Sequence, residues 1–152
     1  MSAPPGGPGP ATGYGYGSSL LLEDGDLVLS GGTLAQVHEM ANLRQALSLR
    51  LLTPYGTDRV HSTYGLDVRG AFTEGHGRRT VREVVRLEVV RTLATDPRVR
   101  EVMSVLFNDD PEFVAQVRAA GGRPAGRHDR SRRLVVEVAT VSDTTVTLEV
   151  EL

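Results

Sequence analysis

Cysteine is absent from the 152 residues, which excludes disulfide frameworks and thiolate metal sites. Lysine is absent as well, so all 17 basic side chains are Arg. GC-rich codon usage is the first explanation, although Arg also suits planar, bidentate pairing at interfaces. No apolar run approaches the length of a membrane span, and the N-terminus lacks a basic-then-apolar leader. The expectation is a protein made and folded in the cytosol. His38, His61, His76 and His128 are scattered without ligand spacing, so no metal site and no cofactor is expected. A net charge of −2 gives no argument for nucleic acid. What remains is ordinary globular composition, 39% apolar and 24% charged, in a chain long enough for one compact domain.

Met1 to Ser19 is Pro, Gly, Ser and Tyr with almost nothing to bury, and reads as a disordered arm. Tyr14 and Tyr16 are candidate adhesive points on it, but a passive tail is the simpler reading. Leu20–Glu23 and Asp26–Leu29 flank Asp24-Gly25, a hairpin signal, and Ser30-Gly31-Gly32 breaks the strand that follows. A first helix is expected from about Leu34 to Leu52, with Thr33 as its N-cap. Met40, Leu43, Ala46, Leu47 and Leu51 share one face, with Arg50 projecting into it. Leu49 and Leu52 lie off that face, the mark of a helix wedged between layers or docked on another chain. Thr53-Pro54 stops it. Tyr55-Gly56 to Gly65 is a loop in which Gly56 and Gly65 permit left-handed backbone and Tyr64 can cover the helix end. Arg69 to Arg79 reads as an exposed connection.

A second helix is expected from Val81 to Ala94, capped by Thr80 with Glu83 in a capping-box position. Val81, Val84, Val85 and Val89 share a face, with Glu88 in its middle. Asp96-Pro97 ends that helix, Val99–Phe107 reads as a strand, and Asp110-Pro111 opens a short helix to Ala120 that closes at Gly121-Gly122. Arg123–Arg133 is a solvated basic loop with no aromatic residue interleaved to stack bases. Leu134–Val141 and Thr144–Leu152 form a last hairpin around Ser142-Asp143. Its final strand alternates Val146, Leu148, Val150 and Leu152 with Thr145, Thr147, Glu149 and Glu151. The fold class is therefore α+β, a small single domain. An antiparallel sheet of about four to five strands is expected to pack with two main helices and one short extra helix.

No catalytic constellation emerges. There is no nucleophile on a turn beside a His, no phosphate loop and no dinucleotide glycine pattern. Glu88, on an apolar face, is the one candidate for a protonated carboxyl, and it has no evident second carboxylate. Arg50 and Glu88 are each an odd charge in an apolar helical face, and are expected to pair if the helices pack. Loss of one member of such a pair costs ~3–5 kcal/mol.

Three segments carry a resemblance: Asn42-Leu43-Arg44-Gln45-Ala46-Leu47, then Leu51-Leu52-Thr53-Pro54-Tyr55-Gly56, then His61-Ser62-Thr63-Tyr64-Gly65. With Asp96-Pro97-Arg98 after the second helix and before a strand, their order resembles the baseplate wedge proteins of contractile phage tails. That family includes the sheath initiators of contractile injection systems and carries an old lysozyme label. The resemblance covers Asp26 to Leu152, leaving residues 1–19 as an arm and 20–152 as the domain. This chain has Asp96 where the family has Glu, and a long link, with an inserted helix and basic loop, at 108–133.

The resemblance implies structural work in a baseplate, without catalysis, metal, nucleic acid or membrane insertion. Asp96, Pro97 and Arg98 would bind the wedge core. The strand from Thr144 through Thr145, Val146, Thr147, Leu148, Glu149, Val150 and Glu151 to Leu152 would pair with the first sheath ring. Inner-tube or hub proteins would be further neighbours in a sixfold symmetric particle, assembled in the cytoplasm and released as a virion-like or extracellular particle. The alternatives are a peptidoglycan hydrolase acting through Glu88 and a cytosolic regulatory adaptor of the same fold.

Overall fold

The computed structural model describes residues 15–73, 75, 77–124 and 133–152. It is a small single-domain α+β protein with antiparallel sheets. Its centre is a three-stranded sheet of β7 (Val99–Phe107), β8 (Arg133–Thr140) and β9 (Thr145–Glu151), in that order. Two helices cover one face: α1 (Glu39–Leu52) lies against β9 and α3 (Arg78–Ala94) against β7. Between the layers sit Leu43, Leu47 and Leu51 of α1, Val85, Val89 and Leu93 of α3, and Leu134, Val136, Val138, Val146 and Leu148 of the sheet. The alternation read in β9 holds: Val146, Leu148 and Val150 face inward, and Thr145, Thr147, Glu149 and Glu151 are exposed. Leu152, past the strand, is exposed and leaves the pattern.

The central sheet has three strands because the N-terminal strands form small sheets of their own. β1 (Ser18–Leu20) pairs with β6 (Gln36–His38), β2 (Leu22–Glu23) with β3 (Asp26–Leu27), and β4 (Leu29–Ser30) with β5 (Thr33–Leu34). The three ladders meet at a ring of backbone bonds: Leu21 N–H to Ala35 O, Ala35 N–H to Val28 O, and Val28 N–H to Leu21 O, at 2.8–3.2 Å. Both hairpin turns have positive φ at their two central residues, Asp24 and Gly25 in one and Gly31 and Gly32 in the other. That is the type I′ geometry whose twist matches the flanking strands.

Gly31-Gly32 thus turns a strand back rather than ending it, and the first helix starts at Glu39, five residues later than Leu34 (39 − 34 = 5). Thr33 lies in a strand and caps nothing. The arm also ends earlier than expected. Ser18–Leu20 is a strand, and Tyr16 is buried, with its hydroxyl bonded to Ser142 Oγ. Composition alone misplaces this boundary because the partner of Tyr16 lies at the far end of the chain. Tyr14 falls outside the described residues.

Two further boundaries move. A short helix α2 (Arg69–Thr73) occupies the expected exposed connection and buries Ala71. The second main helix begins at Arg78 after Gly77, so Thr80 lies inside it and makes no capping box with Glu83. The extra helix α4 (Pro111–Ala119) ends as expected. Gly122 N–H reaches Val117 O at 2.8 Å and Gly121 N–H reaches Arg118 O at 3.0 Å, a Schellman stop with Gly121 left-handed. Residues 125–132 of the basic loop lie outside the described residues.

Candidate functional site

The segment from Asn42 to Val68 is braced on both sides. Asn42 is buried; its Nδ2 donates to Tyr16 O at 2.7 Å and its Oδ1 accepts from Ser19 Oγ at 2.6 Å. Gln45 spans the junction of the small hairpins, accepting from Leu22 N–H at 3.0 Å and donating to Leu20 O at 2.8 Å. At the other end of α1, the loop folds back on the helix terminus. Leu66 N–H donates to Thr53 O at 2.8 Å and Tyr55 N–H to Leu66 O at 3.1 Å. Gly56 and Gly65 both have positive φ. At Gly65 a Cβ would collide with Thr53 O and stand 2.9 Å from the Pro54 carbonyl carbon, so this crossing of chains admits no side chain. At Gly56 the same atom would meet nothing nearer than 3.7 Å, so there the requirement is the left-handed backbone alone.

Arg50 and Glu88 are not an ion pair in this fold. Arg50 donates to Thr95 Oγ1, lies 4.0 Å from Asp96 Oδ2, and places its guanidinium 4.8 Å from the centroid of the Tyr64 ring. Glu88 accepts from Arg91 Nη1 at 2.7 Å, one turn along its own helix. Each charge found a nearer partner. Arg50 leaves α1 toward the C-terminal end of α3, and an i,i+3 neighbour serves Glu88. Both residues line one open cavity of about 270 Å³ with Asp67, Arg91 and Thr92. Asp67 is the second carboxyl that sequence reasoning did not see.

Asp96, Pro97 and Arg98 form one corner between α3 and β7. Asp96 is 3% exposed. Its carboxylate accepts from the Arg98 backbone N–H at 3.0 Å, from Nε at 2.9 Å and from Nη2 at 2.8 Å. Burial alone would raise the Asp96 pKa. The side-chain and backbone hydrogen bonds from Arg98, with the charges of Arg98 and Arg50, outweigh it and hold the carboxyl below its usual value. Arg98 is raised in turn, chiefly by its hydrogen bonds to Asp96. Of the three residues, Asp96 faces inward and positions Arg98, while Pro97 is exposed and Arg98 is half-buried.

A second charged knot had no sequence reading. Asp110, expected only as a helix cap, accepts from Arg82 and Arg86, each at 2.7 Å, and from Phe107 N–H at 2.7 Å. The Arg82 guanidinium lies 4.5 Å from the Phe107 ring centroid. The i,i+4 spacing of Arg82 and Arg86 was the available signal. It needed the position of Asp110, which only the β7–α4 turn supplies.

The two edges of the central sheet differ. β7 carries register shifts between Val99 and Glu101 and between Val102 and Ser104, so Arg100 and Met103 stand out of the ladder. Bulges of this kind blunt an edge. β9 pairs with β8 residue for residue, from Ala139–Thr145 to Arg133–Glu151, without a shift. Among the described residues no strand pairs on its outer side.

The β8–β9 turn sets which groups point outward. Asp143 is left-handed, its N–H reaches Thr140 O at 3.1 Å, and Thr140 N–H reaches Thr144 O at 2.9 Å. This is a three-residue hairpin loop with a bonded pair at Thr140 and Thr144. Bonded and non-bonded pairs alternate in an antiparallel ladder. Val146, Leu148 and Val150 therefore bond to β8, and the N–H and C=O of Thr145, Thr147, Glu149 and Glu151 point away from it.

Comparison with known proteins found no matching family model, no matching curated protein and no matching solved structure. Among the described residues no group of His, Asp and Glu is placed to hold a metal ion, and no helix is long and apolar enough to cross a membrane.

Proposed function

We propose that this chain is a non-enzymatic assembly subunit that accepts a partner's strand on the outer edge of β9. The partner it suits is the first sheath ring of a contractile tail or injection system, as the resemblance to baseplate wedge proteins implies. The observation that carries the reading is the edge itself. β9 presents an unbulged row of outward N–H and C=O groups, while the opposite edge, β7, is interrupted twice. Strand addition draws its affinity from such main-chain groups. An assembly template also benefits from one open edge rather than two, because growth then has one direction. In the same reading Pro97 and Arg98 meet the wedge core, with Asp96 fixing the Arg98 fork from behind.

Deleting the last strand is not a clean test. Val146 and Leu148 are fully buried and Val150 is 4% exposed, so truncation before Thr144 removes core and unfolds the domain. Thr147→Pro is the better perturbation. It deletes one outward N–H and leaves the bonds to β8 in place. The expected result is a folded protein, by circular dichroism and thermal melting, that no longer supports sheathed particles when it replaces the wild type in the source cells. Full-length sheathed particles from Thr147→Pro, seen by electron microscopy, would refute the reading.

A further inference from the structure

We infer that the strand received by β9 is basic on one face, with two cationic side chains in alternate positions that stand opposite Glu149 and Glu151. This rests on the strand-addition reading above and names the chemistry of the partner segment.

The cross-strand rows of the sheet lead to it. On the outer face the rows run Glu101–Ala139–Thr145, Ser104–Glu137–Thr147 and Leu106–Val135–Glu149, with Arg133–Glu151 last. Each row ends at β9 in an exposed side chain, and an added strand supplies the next member. Glu149 has only the apolar Val135 across from it on β8. Glu137, one row along on the same face, is engaged by Ser104 Oγ at 3.3 Å and adds a further carboxylate. Glu151 faces Arg133 on β8, so its charge is partly balanced from within. The outward side chains of β9 are thus two hydroxyls followed by two carboxylates, with no cation among them.

Directly opposed unlike charges stabilise an antiparallel pair and like charges destabilise it. A strand with Lys or Arg at i and i+2 meets Glu149 and Glu151, and Ser, Thr or a β-branched residue at the remaining positions meets Thr145 and Thr147. The spacing of two is the same whether the strand runs parallel or antiparallel. Its other face continues the row of Val146, Leu148 and Val150 and must be apolar. Helical periodicity puts Arg44, Ser48 and Leu52 on the flank of α1 opposite Arg50, which reaches toward α3. Leu52, 52% exposed there, is the apolar surface such a face would cover.

The test uses the full-length chain and synthetic alternating peptides of about nine residues. One has Lys at the two alternate positions, one has Glu there and one has Gln. Amide chemical shifts of β9 locate binding, and titration gives affinity. The expected result is perturbation of the Thr145, Thr147, Glu149 and Glu151 amides, with the Lys peptide about tenfold tighter than the Glu peptide at low salt. That preference should shrink as salt rises and fall to within about twofold in the Glu149→Gln/Glu151→Gln double variant. Equal binding of the Lys and Glu peptides at β9, or a preference for the Glu peptide, overturns the charge assignment and leaves strand addition intact. A preference that survives in the double variant overturns it too. If no peptide perturbs the β9 amides, strand addition itself fails.

Discussion

Replacing Asp96 by Ala should be among the more damaging single changes outside the apolar core. The carboxylate is 3% exposed and accepts three hydrogen bonds from Arg98, with Arg50 at 4.0 Å. Removing one member of a buried ion pair costs ~3–5 kcal/mol, because the other charge is left without compensation. Arg98 retains 32% of its side-chain exposure and can be partly rehydrated, which favours the lower end, about 3 kcal/mol. With a urea m-value of about 2 kcal/mol/M for a domain of this size, the midpoint should fall by roughly 1.5 M.

The pH dependence has a definite sign. The folded pKa of Asp96 is lowered, so its contribution is complete above the unfolded carboxyl value and disappears as pH falls through the folded one. The stability gap between wild type and Asp96→Asn should therefore be full at neutral pH and close in acid, below the ordinary carboxyl range. A loss under about 1 kcal/mol for Asp96→Ala, or a gap as wide in acid as at neutral pH, would refute the account of this corner.

Gly65→Ala should destabilise by more than the ~1–3 kcal/mol of left-handed strain alone, since its Cβ would meet the Thr53–Pro54 backbone; Gly56→Ala, which lacks that collision, should lose less in the same urea titration. Tyr16→Phe should cost about 1 kcal/mol by removing the hydroxyl from its cluster with Ser142 and Thr144, and should raise amide exchange in Ser18–Leu20 while leaving β7 unchanged.

The sequence by itself determined what depends on neighbours along the chain. The period of two in Thr145–Glu151 set the strand and its buried side, and the spacing of Leu43, Leu47 and Leu51 set the helix and its core face. Pro54, Pro97 and Pro111 marked the boundaries they impose on local backbone. The small hairpins were partly legible: Leu21 to Leu27 and Val28 to Leu34 follow one seven-residue pattern with a glycine turn at the same place. Reading Gly31-Gly32 as a break instead of a second turn moved the start of α1, because glycine permits both and only its pairing decides.

Tertiary structure decided what depends on distant partners. Arg50 and Glu88 looked like partners because each was an unmatched charge on an apolar face. Electrostatic pairing falls off with distance, however, and the fold put Asp96 and Thr95 within reach of one and Arg91 within reach of the other. Tyr16 was read as free for lack of any local reason to bury it, until the β8–β9 turn supplied hydroxyls. The openness of β9 belongs to the same class. Alternation shows that a strand has two faces, but only the sheet order shows that one of its edges has no neighbour, and that the opposite edge is bulged.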